Sequence, residues 1–144
     1  GLMTAPGNPK VIRSLADLAR TDVTFINRNP GSGTRLWLER QLQTQGLPTE
    51  SIHGYENAVS THTQSAHLVQ AGKADVALGL RAAARQAGLD FMPLFHERYD
   101  IVYMQEQITL LSPLLDTLQT SAFRLGIESL SGYETMHTGD QIPL

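Results

Sequence analysis

The most informative segment of this chain reads Val23-Thr24-Phe25-Ile26-Asn27-Arg28-Asn29-Pro30-Gly31-Ser32-Gly33-Thr34-Arg35. Its first part is β-branched and almost continuously apolar, which is typical of a strand buried on both faces of a parallel sheet. The residues from Asn29 to Gly33 then break the strand, and a helix is predicted from Thr34 to Gln45 with Gly46 as its stop. The segment therefore predicts a strand, a tight turn and a helix, which is a building unit of α/β folds.

Further strands and helices alternate along the rest of the chain at short spacing. The predicted strands are 52–55, 75–80, 91–95 and 99–104, and the predicted helices are 15–20, 62–71, 81–86 and one or two helices within 109–130. This alternation predicts an α/β fold with a mostly parallel sheet flanked by helices. In such folds, ligands bind beyond the carboxyl ends of the strands and near helix N-termini.

Composition limits the possible classes of function. The chain has 144 residues, of which 41% are hydrophobic and 17% charged, a composition typical of about one globular domain. A net charge of −3 argues against direct contact with nucleic acid, and the absence of cysteine excludes disulfides and thiol chemistry. No histidine pair has the spacing of a metal site, so no metal and no cofactor are expected. No apolar run approaches the ~20 residues that a membrane-spanning helix needs.

The turn after the first strand has the chemistry of an anion cradle. Gly31 and Gly33 permit a tight turn with outward-facing N–H groups, and the following helix adds unpaired N–H groups at its start. The segment also holds the hydroxyls of Ser32 and Thr34 and the guanidinium groups of Arg28 and Arg35. These groups together predict a binding site for an oxyanion. The alternative is a plain strand-to-helix turn with a hydroxyl cap, and the sequence leaves both open.

Three more residues are candidates for the same site. Thr61 and His62 begin the next predicted helix, where His62 could donate a hydrogen bond to an oxyanion, although a plain helix cap with a solvated histidine explains the pattern equally well. Tyr99 lies within a charged segment ahead of an apolar run and could reach a cleft, or could simply be at the solvated start of a strand. No catalytic residue is predicted, because neither a nucleophile elbow nor paired carboxylates occur at suggestive positions.

The order of these segments resembles the second half of a type 2 periplasmic-binding-protein-like domain. The resemblance is carried by Gly7-Asn8-Pro9, by residues 25–35, by Gly72-Lys73-Ala74-Asp75-Val76-Ala77-Leu78-Gly79-Leu80 and by Glu97-Arg98-Tyr99-Asp100. The most similar family is the molybdate/tungstate type, whose members often follow a winged helix-turn-helix in bacterial regulators or are fused to molybdopterin-biosynthesis proteins. The Gly-Ser-Gly-Thr-Arg segment also resembles phosphate-binding relatives.

This resemblance implies two α/β lobes joined by crossover strands, with the ligand in the cleft between them. The chain would form one lobe and part of the second. Ser32, Gly33, Thr34 and Arg35 would bind the oxyanion, with Thr61 and His62 as further contacts. The implied function is non-catalytic binding of an oxyanion as the sensor part of a transcriptional regulator. The alternatives are an accessory domain of a molybdenum-cofactor biosynthesis enzyme and a phosphate- or sulfate-type solute-binding protein.

The same interpretation predicts the organisation of the chain. Residues 1–9 are expected to be a cleaved-tag scar followed by a hinge or linker, and residues 10–144 a ligand-binding domain that is incomplete at its N-terminus. An incomplete lobe exposes a sheet edge and apolar surface, so a homodimer is expected. A regulator context predicts a cytoplasmic protein, whereas a signal peptide upstream would make it periplasmic.

Overall fold

A computed structural model describes residues 1–142 of the protein, which divides into two compact units, Gly1–Phe95 and His96–Leu144. The first unit contains a five-stranded sheet. Its strands are β1 (Leu2–Thr4), β2 (Phe25–Arg28), β3 (Ala58–Val59), β4 (Val76–Leu78) and β5 (Asp90–Met92). Its helices are α1 (Gly33–Thr44), α2 (His62–Gln70) and α3 (Arg81–Gln86), with short 3-10 helices at Leu15–Ala19 and Thr49–Ser51. The α/β fold class is thereby confirmed.

The sheet is mixed, so the prediction of a mostly parallel sheet is wrong. The strand order is β3-β2-β4-β1-β5, in which β2 runs parallel to β3 and β4. The strand β1 lies between β4 and β5 and runs antiparallel to both of them. A short buried strand is apolar whichever way it runs, and the sequence pattern therefore did not reveal its direction.

The strand β1 lies within residues 1–9, which the sequence analysis interpreted as a scar and linker. Leu2 and Met3 are completely buried, and the backbone of Gly1 exchanges two hydrogen bonds with Gly79, of 3.0 and 2.9 Å. Three residues are too few to show a strand by periodicity, which explains why the sequence analysis missed it. The segment that follows β1 contains a tight turn, in which Gly7, Asn8 and Val11 all have positive φ angles.

The first unit has a hydrophobic core on each face of the sheet. Alternate residues of the strands point to opposite faces, so that Phe25 contributes to one core and Ile26 to the other. Leu38 and Leu42 of α1 pack into the first core. The second core is covered by α2 and α3, whose buried side chains are mostly small: Ala66, Val69, Ala83 and Ala84. The sheet is therefore covered by helices on both faces, as the sequence analysis predicted.

Two predicted strands of this unit are displaced. The segment 52–55 forms a turn, in which the Tyr55 N–H donates to the Ile52 carbonyl at 3.1 Å, and the strand comes later, at Ala58–Val59. Ile52 and Tyr55 pack into the core. A segment with apolar residues that are buried in a turn has the same sequence pattern as a short strand. The strand predicted at 91–95 is β5, Asp90–Met92; Pro93 follows it and has no N–H for a ladder.

The second unit is helical. It contains a 3-10 helix at Gln105–Gln107, α4 (Ile108–Gln119) and α5 (Ser121–Ser129), which confirms the helices predicted within 109–130. The strand predicted at 99–104 is wrong: this segment has no regular structure, and Tyr99 and Val102 are exposed there. An apolar run forms a strand only where a neighbouring strand supplies hydrogen bonds, and periodicity alone does not show such a neighbour. Among residues 1–142, no helix combines the length and the apolar character required to cross a bilayer.

Candidate functional site

The turn between β2 and α1 is the segment that the sequence analysis proposed as an anion cradle. Gly31 adopts a φ of 82°, which lets the chain reverse before Ser32 caps α1. The Ser32 hydroxyl accepts a hydrogen bond from the Arg35 N–H at 3.3 Å. The N–H groups of Gly33 and Thr34 have no acceptor inside the helix, and none is formed for them by residues 1–142. Two backbone donors therefore remain available at the positive end of the α1 dipole.

The start of α2 is organised in the same way. The Thr61 hydroxyl accepts from the Gln64 N–H at 3.1 Å. The Gln64 side chain in turn accepts from the N–H groups of Ser60 and Thr61 at 3.1 and 3.2 Å, completing a capping box. Thr61 is therefore a helix cap, one of the two interpretations that the sequence left open. The N–H groups of the first two helical residues, His62 and Thr63, stay uncommitted.

Arg28, at the end of the strand that leads into α1, contacts the start of α2. It is the last residue of β2 and pairs in register with Val59 of β3, whose carbonyl accepts from the Asn29 N–H at 3.0 Å. The Arg28 side chain donates from Nη2 to the Ser60 carbonyl at 2.8 Å, and its Nη1 lies 2.7 Å from Nε2 of His62. The structure thus brings Arg28, the α1 cap and the α2 cap to one edge of the sheet, where β2 and β3 end.

His62 is held in its neutral form at this edge. Burial of the imidazole lowers the pKa of His62 from 6.5 to about 4, and the positive charges of Arg28 and of the N-terminal amino group act in the same direction. The burial removes water that would otherwise solvate an imidazolium ion. At neutral pH His62 is therefore an uncharged group with one ring N–H donor and one ring nitrogen acceptor.

Unpaired polar atoms are concentrated in the same place. Four buried side-chain nitrogen or oxygen atoms within residues 1–142 have no hydrogen-bond partner, and three of them belong to Arg28 (Nε), Asn29 (Oδ1) and His62 (Nδ1). Each such atom costs about 1–3 kcal/mol if it stays unpaired, so a cluster of them indicates that something else completes their bonds. Asn29 was not singled out from the sequence, although it lies inside the informative segment.

Arg35 does not contribute its side chain to this edge. It is only 8% exposed, and its Nε donates to Glu39 at 3.0 Å while an Nη lies 3.7 Å from Glu56. Its guanidinium also lies over the ring of Tyr55, 4.9 Å from the centroid. The Arg35 side chain therefore stabilises the loop that precedes β3. The Arg35–Glu39 spacing of four residues on a helix was the sequence signal for this contact.

The remaining candidates lie elsewhere. Tyr99 belongs to the second unit and is 81% exposed. Within residues 1–142 no group of His, Asp and Glu side chains is arranged to hold a metal ion. A cavity of about 350 Å³ in the first unit contains none of the candidate site residues. Its lining is Thr4, Asn8, Ile12, Arg13, Asp90, Phe91 and Met92. None of the four buried unpaired atoms belongs to this lining, so the edge formed by β2, β3, α1 and α2 remains the better candidate.

A sheet covered by helices on both faces, with helix N-termini beyond the carboxyl ends of its strands, is the arrangement at which α/β domains commonly bind ligands. Comparison with known sequences agrees, since residues 1–119 match the family described as PBP superfamily domain. The chain belongs to this superfamily of periplasmic-binding-protein-like domains, which confirms the broader part of the predicted resemblance.

Two relatives show how far the similarity extends. The protein named "Uncharacterized protein YvgK" from Bacillus subtilis (strain 168) is 38% identical over 142 residues, which is 99% of this chain but 46% of the relative. The protein named "Uncharacterized protein in ferredoxin 2Fe-2S gene 5'region" from Clostridium pasteurianum is 31% identical over 105 residues, 71% of this chain and 93% of the relative. The chain thus spans about half the length of YvgK. No solved structure matches.

Proposed function

We propose that this domain binds a small tetrahedral oxyanion, without catalysing a reaction, at the N-termini of α1 and α2. The observation that carries the proposal is that two helix starts with unpaired backbone donors follow neighbouring parallel strands: the N–H groups of Gly33 and Thr34 after β2, and those of His62 and Thr63 after β3. A tetrahedral oxyanion offers several acceptor oxygens and is bound best by donors that converge from different directions.

The local charge supports an anion although the whole chain is acidic. Neither residues 27–36 nor residues 57–65 contain aspartate or glutamate, so both segments that form the edge are free of negative side chains. The positive ends of two helix dipoles and the guanidinium of Arg28 lie there instead. Because these charges act over a few ångströms, a net charge of −3 spread over the chain does not oppose them.

Molybdate or tungstate is the ligand that the sequence resemblance favours, and phosphate or sulfate is the alternative. Thr34 and Ser32 would contribute hydroxyl contacts.

We also propose that the domain serves as the cytoplasmic sensor part of a transcriptional regulator and that it forms a homodimer. The resemblance to regulator-linked domains supports the first point. The exposed apolar side chains of α4 and α5, such as Leu110 and Leu125, support the second.

Calorimetric titration of the protein with molybdate, tungstate, phosphate and sulfate tests the proposal. The decisive variant is Gly33→Pro, which removes one backbone N–H and nothing else that the site uses. Proline is tolerated at the first position of a helix, and Ser32, with φ −70° and ψ 141°, has the conformation that a residue before proline adopts. Losing one hydrogen bond to a charged group should weaken binding about 10- to 100-fold.

The matched control is Gly33→Ala, which adds a methyl group but keeps the N–H donor. Binding close to that of the unaltered protein in Gly33→Ala, with the expected loss in Gly33→Pro, would support the proposal. Equal affinity in Gly33→Pro and the unaltered protein would mean that the α1 start is only a turn. No heat signal with any of the four anions would overturn the oxyanion proposal. Light scattering of the unliganded protein measures the dimer separately.

A further inference from the structure

The cavity of about 350 Å³ lies at the opposite end of the sheet from the proposed oxyanion site. Thr4, the last residue of β1, lines the cavity and pairs in register with Val76 and Asp90, the first residues of β4 and β5. The helices α1 and α2 instead begin beyond the last residues of β2 and β3, and β2 runs parallel to β4. The cavity is therefore a separate place in the first unit, and its volume is that of a small-ligand pocket.

The register of the strands places apolar and polar groups side by side at this cavity. Leu2 and Met92 are paired neighbours on the face of the first core. Thr4 and Asp90 are the next pair on the same face, because each lies two residues further along its strand. Ile12, which belongs to the first core, also lines the cavity. The cavity thus has an apolar wall, formed by Ile12 and Met92, next to a hydroxyl and a carboxylate.

Polar groups at the cavity are left available by the rest of the first unit. Thr4 is only 5% exposed, yet its hydroxyl forms no hydrogen bond with any of residues 1–142. The guanidinium of Arg13, another lining residue, has no hydrogen-bond or ion-pair partner in that part of the chain. Asp90 accepts the Gly7 N–H at 2.9 Å through Oδ2, which leaves Oδ1 available. A donor of positive charge, an acceptor of negative charge and a hydroxyl are therefore available together.

The loop that carries Arg13 is held in place by its own hydrogen bonds. The Asn8 side chain donates from Nδ2 to the Ile12 carbonyl at 2.8 Å and accepts from the Ile12 N–H at 3.0 Å. The backbone N–H groups of Arg13 and Ser14 both donate to Asp17 at 2.9 Å. A wall that is fixed in this way loses little conformational freedom when a ligand binds, which favours affinity.

We propose that this cavity binds a small zwitterion with an apolar side chain, of the chemical class of an α-amino acid. The guanidinium of Arg13 pairs with the carboxylate of the ligand, and the carboxylate of Asp90 pairs with its ammonium group. Ile12 and Met92 contact the apolar side chain, and the Thr4 hydroxyl adds a hydrogen bond. An anion would leave Asp90 unpaired and a cation would leave Arg13 unpaired, so the zwitterion is favoured over both. This site is independent of the proposed oxyanion site.

The first test uses the unaltered protein and therefore does not depend on the folding of a variant. Calorimetric titration is carried out with L-valine, L-leucine and L-phenylalanine, and we expect binding of at least one of them. The amide of the tightest binder lacks the carboxylate, and its deaminated acid lacks the ammonium group. Both analogues should bind at least about 10-fold more weakly, because each loses one charged hydrogen bond. Silence with all three amino acids, or an analogue that binds as tightly as its amino acid, would overturn the proposal.

The second test assigns the binding to this cavity. Arg13→Met removes the guanidinium and should weaken amino-acid binding about 10- to 100-fold. Asp90→Asn keeps an oxygen for the Gly7 N–H and should weaken it at least about 10-fold. The matched control is Arg40→Met, which removes an exposed guanidinium from α1 that does not line the cavity, and it should leave the affinity unchanged. Unchanged affinity in Arg13→Met, or a loss of amino-acid binding in Gly33→Pro, would overturn the assignment to this cavity.

Discussion

Both units of the chain contain amphipathic helices, yet only the helices of the first unit pack their apolar faces against a sheet. In the first unit α1 buries Leu38 and Leu42, and α2 buries Ala66 and Val69 against the sheet. In the second unit α4 and α5 have no buried residue, and Leu110 is 78% exposed. Helix formation by itself is weakly favourable, and most of the stability of a protein helix comes from packing of its apolar face. The two units should therefore respond very differently to the same chemical change.

The largest difference is expected for truncation of a leucine. Leu38→Ala in α1 removes a completely buried side chain and should lower the free energy of unfolding by about 3–4 kcal/mol, because it leaves a cavity in the core. Leu110→Ala in α4 removes a side chain that is 78% exposed and should change it by less than about 0.5 kcal/mol. Denaturant unfolding followed by circular dichroism measures both. Equal losses would show that α4 packs as tightly as α1 in solution.

The next largest effect concerns pH, because His62 in the first unit is partly buried whereas His96 in the second unit is exposed. Burial lowers the pKa of His62 from 6.5 to about 4. Between those pH values the unfolded chain takes up a proton that the folded chain does not. Stability is therefore full above about pH 6.5 and falls as the pH decreases towards 4. The loss should be on the order of 1–2 kcal/mol after allowance for solvent screening.

Unfolding curves at several pH values between 4 and 7 measure this slope. His62→Gln removes the titrating group and should flatten that part of the profile. The control is His96→Gln in the second unit, whose side chain is 79% exposed and which should leave the slope as it was. If stability still falls between pH 7 and 4 in His62→Gln, another titrating group is responsible for the pH dependence.

The smallest effect compares two equivalent helix caps. Thr61 caps α2 by accepting from the Gln64 N–H at 3.1 Å, and Thr120 caps α5 by accepting from the Phe123 N–H at 3.2 Å. Thr61→Ala should lower the global free energy of unfolding by about 1 kcal/mol. Thr120→Ala should leave it unchanged and only increase hydrogen exchange in α5, since that helix is not part of a packed core. A lower global free energy of unfolding in Thr120→Ala would contradict this and show that the two units unfold as one cooperative structure.

Several elements of the first unit were predictable because residues close together in the chain indicate both the element and its buried face. The segment from β2 to α1 shows a buried strand, a glycine turn and a capped helix in thirteen consecutive residues, and the structure has all three. The helix starts that form the candidate site were predicted from hydroxyls and glycines, which favour helix starts for local reasons. The contacts of Arg35 with Tyr55 and Glu56 were not predicted, because these partners are about twenty residues away along the chain.

Sequence alone thus determined the positions of the helices and of β2 and β4, since these depend on residues close to each other in the chain. Only the tertiary structure decided that β1 is antiparallel and that the side chain of Arg28 reaches the start of α2. Strand direction and side-chain pairing depend on which distant segments meet. The physical reason is that Arg28 and His62 are 34 residues apart in the chain and 2.7 Å apart in space.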